Sequence, residues 1–110
     1  MAASGYARLM PVSFSFSAAI WVYPGMAAWR FVSLPKEVSE RLRSDVGPRK
    51  RGWGAVPVEV RIKDARWRTS VFPDKRSGTF LLPLKAEVRK KERMLDGDTV
   101  RVDLRVVARP

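Results

Sequence analysis

The chain contains no cysteine and no histidine. Without thiols it forms no disulfide and performs no thiol chemistry, which fits a reducing compartment. Without imidazole it lacks the side chain that most often moves protons near neutral pH and most often holds a metal. Zinc sites built from Cys or His are excluded outright. Acids are scarce as well: 11 Asp and Glu stand against 22 Lys and Arg, a formal net charge of +11. That balance sets an expectation of attraction to polyanions, whether nucleic acid, an anionic membrane surface or an acidic protein, although scattered surface cations produce the same total. Long hydrophobic runs are missing too. The stretch from Val12 to Val32 is apolar but alternates with Ser and is interrupted by Pro24-Gly25, so no transmembrane helix is expected. Residues 1–11 have no acid and no apolar signal core, and are read as a flexible N-terminal segment rather than a targeting one. The expected location is cytoplasmic, with no membrane partner.

What the chain does have is a period of two. Phe14, Phe16, Ala18, Ile20 and Val22 alternate with serines, and Val56, Val58, Val60 and Ile62 alternate with Pro57, Glu59, Arg61 and Lys63. Such alternation marks strands with one buried face. Trp67, Thr69 and Val71 continue the pattern after a turn, Phe80 to Leu84 forms a short strand, and Val100, Val102, Leu104 and Val106 form the inner face of the last one. Val38 and Leu42 lie four apart, which predicts a short amphipathic helix over 36–43, with Pro35 at its start where the missing N–H costs nothing. A second short helix is expected around Ala86 to Lys91. The 110 residues form one domain, with residues 12–110 as the folded part.

The pattern is also written twice. Leu34-Pro35 recurs as Leu82-Pro83, 48 residues on, and Val58-Glu59-Val60-Arg61-Ile62 recurs as Val102-Asp103-Leu104-Arg105-Val106, 44 residues on. A mainly β chain with about six strands, two short helices and two pseudo-repeated halves predicts a small, closed, double-split β-barrel, since closure removes the exposed edges of short strands.

Three runs are distinctive together: Trp29-Arg30-Phe31-Val32-Ser33-Leu34-Pro35-Lys36-Glu37-Val38-Ser39, Trp67 to Lys75, and Phe80 to Lys90 with Gly97-Asp98-Thr99-Val100. They resemble an uncharacterised bacterial and archaeal domain-of-unknown-function family, also found fused to bacteriocin-protection, OmpD-associated proteins. The resemblance spans roughly residues 12–107 and implies a double-split β-barrel. The second half is also similar to the AbrB-like swapped-hairpin DNA-binding regulators and antitoxins, through Leu82-Pro83, Arg89 and Gly97-Asp98-Thr99-Val100. In that family two chains build the barrel; here one chain supplies both halves, so a monomer suffices.

No phosphate-cradling glycine loop precedes a helix and no serine sits in a nucleophile elbow, so the chain is read as a non-enzymatic binding module with no catalytic residue, cofactor or metal. Asp98 is read as a turn cap beside Gly97, and Glu37 and Glu87 as first-turn carboxylates favoured by the helix dipole. A hairpin turn centred on Asp64-Ala65 places Ile62 opposite Trp67 and Val60 opposite Thr69. On the outer face it sets Lys63 against Arg66 and Arg61 against Arg68. Facing like charges destabilise a sheet. Side chains fanned into water, bridged by Glu59 or Asp103, account for this patch at least as well as an anionic partner does. The candidate polyanion site is therefore Arg61, Lys63, Arg66 and Arg68, joined by the loop Arg49-Lys50-Arg51 and by Trp53, which either stacks on a base or lids one barrel end. Trp29 and Trp67 are expected in the core. The leading partner is nucleic acid, DNA or RNA, or another polyanion. The alternative is an accessory barrel that binds a small ligand or a protein; a carboxylate enzyme in the barrel mouth is the remaining class.

Overall fold

The computed structural model describes residues 13–46 and 54–107. Its elements run β1 (Ser13–Val22), β2 (Arg30–Ser33), α1 (Lys36–Val46), β3 (Val56–Ile62), β4 (Ala65–Asp74), β5 (Thr79–Pro83), α2 (Ala86–Lys91) and β6 (Thr99–Val106). The strands close into a barrel in the order β1-β2-β5-β4-β3-β6, with every pairing antiparallel. The inward residues of the alternating strands meet in one core. Ile20, Val32, Val58, Val60, Val71, Leu82, Val102 and Leu104 are each at most 2% exposed, so the barrel is filled by side chains. Val22 departs from the expected alternation: it lies past the end of the core and is exposed.

The two halves are related by a pseudo-twofold axis, and it explains the repeated sequence. In the β2–β5 pair, Val32 faces Leu82. On either side the Leu34 N–H donates to the Phe80 carbonyl and the Leu84 N–H to the Arg30 carbonyl, both at 2.9 Å. These equivalences lie 50 residues apart, which corrects the offset of 48 suggested by the Leu-Pro pairs: Leu34 corresponds to Leu84, and Pro35 to Lys85. The two prolines occupy different places. Pro35 precedes α1 and its carbonyl accepts the Ser39 N–H at 2.9 Å. Pro83 is the last residue of β5, beyond its ladder with β4, where no N–H is needed. The second repeat keeps its offset. Val60 faces Leu104, so Arg61 stands opposite Asp103 and Glu59 opposite Arg105. The acid–apolar–Arg motif recurs because each strand presents its acid to the other strand's arginine.

The helices close the structure against the core. Leu42 of α1 is fully buried and Val38 packs beside it. Ser39 is the one fully buried polar side chain among the described residues. Its Oγ accepts the Phe80 N–H at 3.0 Å and donates to the Leu34 carbonyl at 3.4 Å, fastening α1 to β5. Replacing Ser39 by Ala leaves the Phe80 N–H buried without that acceptor and should cost about 1–3 kcal/mol in urea denaturation. No loss of stability would show that the hydroxyl does not hold the helix.

α2 ends in a Schellman arrangement: the Arg93 N–H donates to the Lys90 carbonyl at 3.3 Å and the Met94 N–H to the Arg89 carbonyl at 2.8 Å. Met94 is buried against the core, as this motif favours. The residue that must turn left-handed is Arg93, with φ of 54°. Glycine adopts that φ without strain, so Arg93→Gly should raise stability by about 0.5–1 kcal/mol, the relief of strain less the added chain entropy. A lower thermal midpoint for this variant would contradict the strain argument.

The hairpin register differs from the expected one. Ile62 pairs with Ala65, Val60 with Trp67 and Val58 with Thr69, so the turn is the two residues Lys63-Asp64. Lys63 takes the left-handed conformation at φ 55°, as the first position of a tight hairpin turn requires. The expected pairing was long by two residues at the turn. A slip of two preserves which side chains face inward, so the alternation alone does not distinguish the registers.

Candidate nucleic-acid interface

The outward positions of β1, β6, β3 and the first half of β4 form one polar face. β1 contributes Ser13, Ser15 and Ser17, which pair with Arg105, Asp103 and Arg101 of β6. β3 adds Glu59 and Arg61, and β4 adds Arg66 and Arg68. Among the described residues five arginines, at 61, 66, 68, 101 and 105, are exposed on this face, with Glu59 and Asp103 as the carboxylates among them. Both carboxylates are engaged. Arg61 bridges to Asp103 at 3.5 Å, Arg105 bridges to Glu59, and Ser15 Oγ donates to Asp103 at 2.6 Å. Arg66, Arg68 and Arg101 have no ion-pair partner among the described residues. Between the strands lies an open groove of about 410 Å³ whose lining includes Ser13, Ser15, Arg61, Arg66 and Arg105.

The candidate residues therefore divide. Arg61, Arg66 and Arg68 come together, with Arg61 directly opposite Arg66 and Arg68 opposite Glu59 rather than Arg61. Lys63 does not join them. It sits in the hairpin turn and its Nζ donates to the Glu92 carbonyl at 2.9 Å. Arg49, Lys50, Arg51 and Trp53 lie outside the described residues. Arg101 and Arg105 belong to the face and were not among the candidates. The alternation of β6 carried that signal, since they fall between the inward Val100, Val102, Leu104 and Val106. Their neighbours in space, however, come from β1 and β3, far away in the chain.

The far half of the barrel has a different outer face. Along β1 the outward residues change from serines to Ala19 and Trp21, and along β4 from Arg66 and Arg68 to Ser70 and Phe72. Trp21 pairs with Phe31, their rings 5.6 Å apart, and its indole N–H donates to Ser33 Oγ at 3.0 Å. Tyr23 and Trp29 also pack on Phe31, at 5.6 and 6.0 Å. Trp29 is 52% exposed and Phe72 45%, so the expectation that Trp29 lies in the core is overturned: it precedes β2 on the outside of the barrel. Trp67 does pack against the core, half-buried, and its Nε1 has no hydrogen-bond partner among the described residues.

The remaining motifs have structural roles. Asp98 Oδ2 accepts the Leu95 N–H at 2.8 Å, and Gly97 takes a φ of 87°, so the Gly-Asp pair caps the turn into β6. Among the described residues, no group of three or more Asp and Glu is placed to hold a metal ion. No helix among them is long and apolar enough to cross a membrane.

The chain fits the family described as Domain of unknown function (DUF1905) over residues 16–104, most of its length, and it belongs to that family. No curated protein matches it.

Proposed function

We propose that this member of a family without assigned function is a non-enzymatic binding module whose arginine face contacts the phosphates of nucleic acid. The observation that carries the reading is the trio Arg66, Arg68 and Arg101: exposed, on one rigid sheet, and without carboxylate partners among the described residues. Guanidinium groups present a planar fork that matches phosphate oxygens, and phosphate contacts position a protein on nucleic acid without reading its sequence. Arg61 and Arg105 are held by Asp103 and Glu59 and frame the groove. The likeness of the second half to AbrB-like DNA-binding regulators points the same way.

The test is binding to labelled single- and double-stranded DNA and RNA across a salt series. The reading expects the logarithm of affinity to fall with the logarithm of salt, by about 0.9 per phosphate contacted on duplex DNA, with binding surviving at about 0.15 M. A signal that vanishes at that salt would reduce the face to generic charge attraction and overturn the proposal.

A further inference from the structure

The arginine row and the aromatic surface are continuous along a single strand. β4 points Arg66, Arg68, Ser70 and Phe72 outward in one line, with successive members roughly 7 Å apart given the rise of an extended chain. Phe72 is one wall of an apolar slot of about 460 Å³, and Trp29, Phe31 and Pro83 form others. That volume falls within the range of small-molecule sites. Among the described residues two cations, Arg30 and Lys85, line the slot, and no carboxylate does. Arg30 is held by Asp96 at 2.5 Å and by the Ala27 carbonyl, whereas Lys85 is exposed. The occupant such a slot favours has a flat apolar face and a negative charge. A second copy of this chain fits poorly, because it brings the same net charge of +11 to the contact.

We infer that the nucleic acid taken by this protein is single-stranded, with phosphates following Arg66 and Arg68 and a base stacked in the slot between Trp29 and Phe72. The inference rests on the nucleic-acid reading above. A duplex keeps its base faces inside the stack, where the slot cannot reach them; a single strand can turn a base outward onto an aromatic ring. Stacking of this kind tolerates any base, which suits a face that offers arginines and rings but no built pattern of base-edge donors and acceptors.

The experiment compares a labelled thymidine 12-mer with an abasic 12-mer of the same backbone and charge, using the intact protein, Trp29→Ala and Phe72→Ala. Both residues are about half exposed, so each variant should keep the fold, as circular dichroism would show. The thymidine oligomer should bind the intact protein at least about tenfold more tightly than the abasic one. Each variant should lose about 5- to 100-fold on the thymidine oligomer and nothing on the abasic one. Equal affinity for the two oligomers, with salt-sensitive binding retained, overturns stacking and leaves the phosphate reading standing. No binding to either overturns the single-strand inference, and the phosphate reading falls with it only if duplex DNA and RNA also fail to bind in the salt series. A dimer in sedimentation that Trp29→Ala dissolves would assign the slot to self-association instead.

Discussion

Replacing Arg66, Arg68 and Arg101 together by Gln should lower affinity for single-stranded DNA about 50-fold at 0.15 M salt and cut its salt slope by about 2.1. Three phosphate contacts at about 0.7 each on a single strand, scaled from 1 M salt, where counterion release no longer contributes, give both values. The effect should shrink as salt rises, which separates lost phosphate contacts from a damaged fold. These arginines are exposed and make no ion pair among the described residues, so their removal leaves the Arg61–Asp103 and Arg105–Glu59 bridges intact. Neutralising Arg61 instead would confuse the result, because Asp103 would lose its ion-pair partner. Gel-shift or anisotropy titrations at several salt concentrations make the measurement. A triple variant with an unchanged slope would remove this face from consideration, whatever the wild-type affinity.

The second large effect concerns stability. Leu82→Ala should cost about 2–5 kcal/mol, lowering the thermal midpoint by about 9–22 °C. Leu82 is fully buried and faces Val32 where the two halves meet on the pseudo-twofold axis. A cavity there is lined by both halves, and neither relaxes into it without disturbing the β2–β5 ladder. That loss is a large share of the stability ordinary for a domain of this size. Leu95→Ala is the control: Leu95 is 67% exposed, so its truncation should change stability by no more than about 0.5 kcal/mol. Similar thermal midpoints for the two variants would mean that the β2–β5 seam is not where the barrel is held together.

Much of the barrel was legible because its strands have one wet and one dry face. Apart from Val22, the residues of β1, β3 and β6 that the alternation marks do face inward, and α2 begins and ends where expected. The hairpin register was not legible. Val60 meets Trp67 rather than Thr69, yet both pairings bury the same side chains, and the left-handed turn residue is a lysine rather than a glycine. Trp29 was misplaced for a related reason. Its indole is large and apolar enough for a core, and only the closure of β1 on β2 shows that its place is outside. The arginine face was half legible. Arg61, Arg66 and Arg68 are neighbours within one hairpin, whereas Arg101 and Arg105 reach them only through long-range pairing.

By itself the sequence determined the strand faces, the two short helices, the near-duplication, the excess of positive charge and the absence of thiol and imidazole chemistry. All of these are local or additive properties of residues. The tertiary structure alone decided which charges meet. Pairing of β3 with β6 turned the repeated acid–apolar–Arg motif into two reciprocal ion pairs and left Arg66, Arg68 and Arg101 without carboxylate partners among the described residues. It also separated a charged outer face from an aromatic one along the same strands. The physical reason is that a strand's side chains are assigned to a face by local geometry, while their neighbours on that face come from strands far away in the chain. The interactions of an outer face are set by closure of the barrel, and so the candidate site came into view only once the barrel was closed.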